Sequence, residues 1–224
     1  MFLQEEIIPD NRPLLAVYAS GADFLYKYFD RRFDMRVTSN LAEVSNAMAA
    51  FLIVGTEFED RLATDKFKEE CNRINLPVIT LHVPFVIGTG MTETPMRMAR
   101  GVMRGLLMKI KDNTAKWSVI HAVDIANVAF MLYETGVRDS EFTISPEAVA
   151  VNDLIEALSI RIKDKRVAVI SPRWARLLYG KDYFERLTTD HLVDSRGFTE
   201  QYPDFEFINP ADYLKTHNYD NESL

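Results

Sequence analysis

The sequence predicts an α/β fold, with a parallel sheet carrying helices on both faces and a small α+β lobe after it. Three observations predict this. Apolar runs at 14–18, 51–54 and 78–83 have the continuous burial that parallel strands covered on both faces require. They alternate with stretches of helical periodicity joined by short links, the pattern of parallel strands with right-handed crossovers. Beyond Gly90 the pattern changes. Residues 1–90 therefore read as the sheet-bearing portion and 91–224 as a lobe packed on it in one compact unit.

In chain order, residues 1–12 read as an irregular leader. The strand at 14–18 meets the turn Ala19-Ser20-Gly21. Asp23 is a candidate cap for a helix with Phe24, Leu25, Tyr28 and Phe29 at helical spacing. A strand at 35–38, a short helix at 41–48 and the strand at 51–54 follow, ending at Gly55-Thr56. A helix over 65–74 feeds the next strand. The stretch 76–91, LPVITLHVPFVIGTGM, organises the rest. Pro84 has no N–H and ends the ladder, while Gly88 and Gly90 bracket a turn at the carboxyl ends of the strands, where ligands of open α/β sheets bind.

The helix at 95–105 carries Met96, Ala99, Met103 and Leu106 on one face and Arg97, Arg100 and Arg104 on another. Strands at 107–110 and 119–122 flank the polar turn 111–116. An apolar-faced helix spans 124–133 and a strand 142–144. Asn152 reads as the cap of a helix over 153–162, a strand lies at 167–170, and Pro172 opens a helix at its first turn. The tail from Thr199 is acidic and aromatic.

The net charge of −7 and pI near 5.2 argue against a nucleic-acid binder, although a local basic patch is compatible with them. The single cysteine, Cys71, excludes an internal disulfide and suits a reducing cytosol. Acidic residues precede any apolar run at the start, so no signal peptide is read there, and no apolar run is long enough to span a bilayer. The expectation is a cytoplasmic protein without membrane or nucleic-acid partners. No His, Cys or carboxylate pair lies at metal-ligand spacing, so no metal is expected.

Four segments carry a family resemblance: Lys66 and Glu70 with PVITLHVPFVIGTGM; WSVIHAVDIANVAFMLYE, with His121, Asp124 and Ala126 in register; FTISPEAVAVNDLIEALSIRI; and LTTDHLVDSRGFTEQYPDFEFINPADYLK. Over about two thirds of the chain these resemble an extended short-chain dehydrogenase/reductase of the NAD-dependent epimerase/dehydratase group. The resemblance implies a Rossmann-type sheet, NAD or NADP as cofactor and a nucleotide sugar as substrate. It places Lys66 and Thr56 in catalysis, Ser20, Gly21 and Pro84 on the cofactor, and Gly88, Arg97 and Arg100 on the substrate.

The departures are specific. The family's first turn is G-x-x-G-x-x-G, and here Ala19, Ala22 and Leu25 stand at the glycines, with Asp23 adding a negative charge where a diphosphate would lie. Leu62 stands where the catalytic tyrosine should be, four residues before Lys66. A βαβ unit needs roughly 30 residues, so a chain that reaches this lysine at position 66 has a shortened sheet. Three readings stay open. One is a catalytically degenerate relative holding a sugar nucleotide or a partner. Another is an active NAD(P)-dependent oxidoreductase or epimerase using Thr56, Lys66 and Tyr18. The last is an assembly subunit, a homodimer.

Plainer readings accompany individual residues. Ser20 and Gly21 fit an ordinary turn, and Lys66 and the arginine stripe fit solvated helix faces. His82 fits a hydrogen-bonded core position. His121 and Asp124 fit structural roles at a helix start, Trp117 and Trp174 fit packing, and Met96, Met98, Met103 and Met108 fit helix packing or a dimer face.

Overall fold

A computed structural model describes residues 14–20, 22–32, 36–39, 44–57, 60–88, 90–163 and 167–216. In chain order the elements are β1 (Leu14–Tyr18), α1 (Tyr26–Arg32), β2 (Arg36–Thr38), β3 (Ala49–Gly55), α2 (Arg61–Arg73), β4 (Val78–Val83), β5 (Phe85–Ile87) and α3 (Glu93–Met103). There follow β6 (Lys109–Ile110), β7 (Lys116–Trp117), β8 (Val119–His121), α4 (Ala122–Glu134), β9 (Glu141–Thr143), β10 (Val149–Ala150), α5 (Val151–Lys163) and β11 (Val169–Ile170). Four short helices come last: α6 (Pro172–Tyr179), α7 (Lys181–Thr188), α8 (Arg196–Gln201) and α9 (Pro210–Thr216).

Five strands pair in the order β2-β1-β3-β4-β9, all parallel. Side chains alternate across the sheet, so each central strand feeds two cores. Leu15, Val17, Phe51, Ile53, Ile79 and Leu81 face a core shared with Phe29 of α1 and the apolar side of α4. Ala16, Ala50 and Leu52 face the other way, under Phe67 and Cys71 of α2. Residues beyond 91 return to this sheet: β9 is its edge, and Ile125, Ala129 and Leu132 of α4 and Phe198 of α8 join the first core. A second core surrounds Trp117 with Phe85, Met98, Leu154, Leu158 and Leu187.

Pro84 is the point where the chain changes sheets. β4 ends at Val83, and β5 beyond the proline pairs with β8 instead. Several local readings are corrected. Asp23 caps nothing; it opens a single 3-10 turn, Asp23–Leu25, and α1 begins after it. Instead of a helix near 41–48, the described part is a 3-10 turn, Val44–Asn46, running directly into β3. Residues 1–12, 35 and 41–43 lie outside the described residues. α2 starts at Arg61 because Asp60 caps it, its Oδ1 accepting from Ala63 N at 3.2 Å.

The strands around the polar turn do not pair with each other; β6 pairs with β11 and β8 with β5. Asn152 is no cap either. It lies inside the first turn of α5, where its Oδ1 accepts from Ile110 N at 3.0 Å and its Nδ2 donates to Ile110 O at 2.8 Å. The amide side chain stands in for a strand residue beside β6. Among the described residues, no group of His, Cys, Asp and Glu is placed to hold a metal, and no helix is long and apolar enough to cross a membrane.

Candidate functional site

Strand order reverses between β1 and β3, and the crevice at their carboxyl ends is where an open α/β sheet takes its ligand. Here the turn after β1 closes on itself. Ala22 N donates to Ala19 O at 3.0 Å and Leu25 N to Ala22 O at 2.9 Å, so both amides are already satisfied. Ala19, Ala22 and Leu25, the three residues at the glycine positions, are fully buried. Two aromatics lie against the organising loop. A Cβ on Gly90 would fall 2.6 Å from Phe24 Cβ, and one on Gly88 would fall 2.8 Å from Tyr28 Oη. Ser20 is half-buried beside this turn, Pro84 is buried, and Gly21 lies outside the described residues.

The candidate catalytic residues come from three places: Tyr18 from β1, Thr56 from the turn after β3 and Lys66 from α2. Lys66 is on the exposed side of α2, opposite buried Phe67, and Leu62 is 66% exposed on the same helix. Thr56 is exposed and its Oγ1 donates to Val83 O at 3.4 Å. Tyr18 stacks on Phe67 with ring centroids 5.2 Å apart. Among the described residues, no hydrogen bond joins Thr56, Lys66 and Tyr18. His82 is hydrogen-bonded, its Nε2 lying 2.7 Å from Glu141 Oε1, but it is half-exposed. The neighbouring edge strand β9 leaves that position near solvent, which corrects its reading as a core residue.

The arginine stripe lines a groove. α3, the turn after it and residues 178–183 enclose an open space of about 530 Å³, with Arg97, Arg100 and Arg104 on one wall and Leu106, Leu178 and Tyr183 among the apolar contributors. The Arg97 guanidinium lies over the Tyr183 ring, 4.0 Å from its centroid. Burial pushes the Tyr183 hydroxyl up to about 12. Beside the groove, Glu57 holds the start of α3. Its carboxylate accepts from Thr94 N at 2.9 Å and from Thr94 Oγ1, and it pairs with Arg186 Nη1 at 3.2 Å. Sequence reading missed this junction, because nothing local links residues 129 positions apart.

His121 caps α4, its Nδ1 accepting from Val123 N at 3.2 Å. Asp124, in the first turn of α4, is buried; Oδ2 accepts from Ile208 N at 3.0 Å, and Oδ1 has no partner among the described residues. Burial pushes this carboxyl up to about 6 from 3.8. The native pKa is thus above the unfolded one. The group's stabilising contribution is complete below pH 3.8 and is lost as pH rises through about 6. The α4 dipole opposes part of this penalty. Asp124→Asn should therefore raise stability at pH 7.5 by about 2 kcal/mol and flatten the decline between pH 4 and 6. Urea midpoints across that range test it, and a less stable variant at pH 7.5 would contradict it.

No protein-family model matches the sequence, and no curated protein matches it. Solved structures do. UDP-N-acetylglucosamine 4-epimerase from Bacillus cereus is 13% identical, with a TM-score of 0.57 over 91% of this chain and 97% of that one. A GDP-D-glycero-L-gluco-heptose synthase from Campylobacter jejuni is 12% identical, with a TM-score of 0.55 over 90% and 80%. A Bordetella bronchiseptica enzyme solved with NAD+ and UDP is 11% identical, with a TM-score of 0.54 over 93% and 72%. At these identities the likeness is one of architecture: the chain has the Rossmann-like α/β fold, a parallel sheet flanked by helices, that these epimerase and synthase structures share.

Proposed function

We propose that this chain is a relative of that fold that has given up dinucleotide binding and hydride transfer and holds a nucleotide sugar in the Arg97–Arg100–Arg104 groove. The observation that carries the first half is the packing of Phe24 on Gly90 at the mouth of the sheet crevice. The amides of Ala22 and Leu25 are bonded within their own turn, and Asp23 is exposed beside them. A dinucleotide diphosphate would meet an aromatic side chain and a carboxylate there, with two of the turn's amides already bonded. The exposed leucine at position 62 offers no proton for carbonyl chemistry.

Arg97 and Arg100 of α3 with Arg104 just after it suit a diphosphate, since a guanidinium can donate two parallel hydrogen bonds to phosphate oxygens. Tyr179 and Leu178 on the opposite wall supply apolar faces for a base or sugar ring. The volume falls in the usual range for small-ligand sites. Fold neighbours bind such molecules: the UDP-glucose 4-epimerase of Thermotoga maritima was solved with UDP-glucose.

Thermal unfolding with UDP-, GDP- and dTDP-sugars, and separately with NAD and NADP, tests the reading. A sugar nucleotide present at about 100 times its dissociation constant should stabilise the protein by about 2.7 kcal/mol. Arg97→Ala with Arg100→Ala should abolish that shift, and NAD and NADP should give none. A shift with either dinucleotide overturns the first half of the proposal, and silence with every sugar nucleotide overturns the second.

A further inference from the structure

Charge is unevenly distributed along the chain. Residues 97–111 and 161–181 hold 12 of its 26 basic residues and one of its 33 acidic residues, leaving 14 basic against 32 acidic elsewhere. The fold brings described parts of the two stretches side by side. β6 pairs in parallel with β11, and Tyr179 Oη accepts from Met108 N at 2.8 Å and donates to Met108 O at 3.1 Å. Lys109 is paired with Glu156, whereas Arg104, Arg173 and Arg176 make no ion pair among the described residues.

α6 lies in this basic region with its apolar side outward. Ala175 is buried, while Trp174, Leu177 and Leu178 are 61%, 72% and 57% exposed. Their spacing of i, i+3 and i+4 puts them on one side of the helix, with exposed Arg173 and Arg176 flanking them. Leu106, 63% exposed, extends the patch from across the groove. Singly exposed leucines need no explanation, but a contiguous cluster rimmed by cations does.

We propose that this face docks on an anionic lipid bilayer. α6 lies in the plane of the surface, with Trp174 and Leu177 in the headgroup–acyl boundary and Arg173 and Arg176 against lipid phosphates. A basic helix face beside Trp and Leu is the composition of interfacial helices, and tryptophan favours that depth. Other occupants satisfy only part of the surface. A second copy in a two-fold dimer sets basic residues against basic residues. A nucleic acid neutralises the arginines and leaves the leucines in water. The sequence reading expected no membrane partner because it looked for spanning segments, and a helix lying on a surface needs no span.

The test is flotation of the full chain with phosphatidylcholine vesicles, with and without phosphatidylglycerol. The chain should float with the anionic vesicles and not with phosphatidylcholine alone. Tryptophan emission should shift to the blue on binding, because Trp174 is exposed and Trp117 is already buried. Trp174→Phe should remove that shift. Trp174→Ser with Leu177→Ser should weaken binding about tenfold or more, and Arg173→Ala and Arg176→Ala about fivefold each. All four side chains are exposed, so these variants should keep the wild-type melting temperature, and they should keep any sugar-nucleotide shift as well. Absent flotation with anionic vesicles, or flotation unchanged by Trp174→Ser with Leu177→Ser, overturns the proposal. So does self-association in vesicle-free solution that the same variants abolish.

Discussion

Trp117→Ala should cost about 3–5 kcal/mol, a large part of the stability of a domain this size. Trp117 is fully buried at the centre of the second core, its ring centroid 5.0 Å from that of Phe85 and 5.6 Å from that of His191. Its indole N–H donates to Thr189 O at 3.2 Å. The residue also belongs to β7, which pairs with β10 and is bonded on its other side to His191 through Ser118 N to His191 O at 2.8 Å. Truncation leaves a cavity the size of the ring system, an unpaired carbonyl and a loosened strand. Trp117→Phe should cost less, about 1–3 kcal/mol, since it keeps an aromatic but strands the Thr189 carbonyl. Urea unfolding of both variants checks the order, and near-equal midpoints for wild type and Trp117→Ala would mean that this core is absent in solution.

How well the sequence reads depends on what forces each element. β1, β3 and β4 were legible because burial on both sheet faces demands a near-continuous apolar run, and each has one, interrupted in β4 only by Thr80 and His82. The arginine stripe was legible as a stripe; its place in a groove was not, because the opposite wall comes from residues 178–183. β6, β7, β10 and β11 are two residues each, too short for any period to declare them. Asn152 resembled a cap because caps and strand-mimicking amides use the same side chain, and only the position of Ile110 distinguishes them. Trp174 read as a packing residue because large aromatics usually are, yet it lies outside, on a helix whose buried side is the small Ala175. The lost glycines were plain in the sequence. What replaced the space above them was not, since the Phe24 contact is made with residue 90.

That contact makes a second strong prediction. Gly90 has φ +87°, a left-handed conformation that a side chain tolerates poorly, and its missing Cβ faces Phe24 Cβ at 2.6 Å and Cγ at 2.8 Å. The nearest atom is the stem of the phenylalanine, which cannot swing away as a chain end could. Gly90→Ala should therefore cost about 3 kcal/mol, combining about 1 kcal/mol of backbone strain with about 2 kcal/mol of overpacking. Phe24→Gly removes the stem but leaves the backbone angle. In that background Gly90→Ala should cost only about 1 kcal/mol, a coupling of about 2 kcal/mol between the positions. The cycle bears on function as much as on stability. A full coupling means that loop and turn are in contact in solution and that the crevice between β1 and β3 is plugged in the free protein. A coupling near zero means the plug is open, and with it goes the observation on which the proposed loss of dinucleotide binding rests.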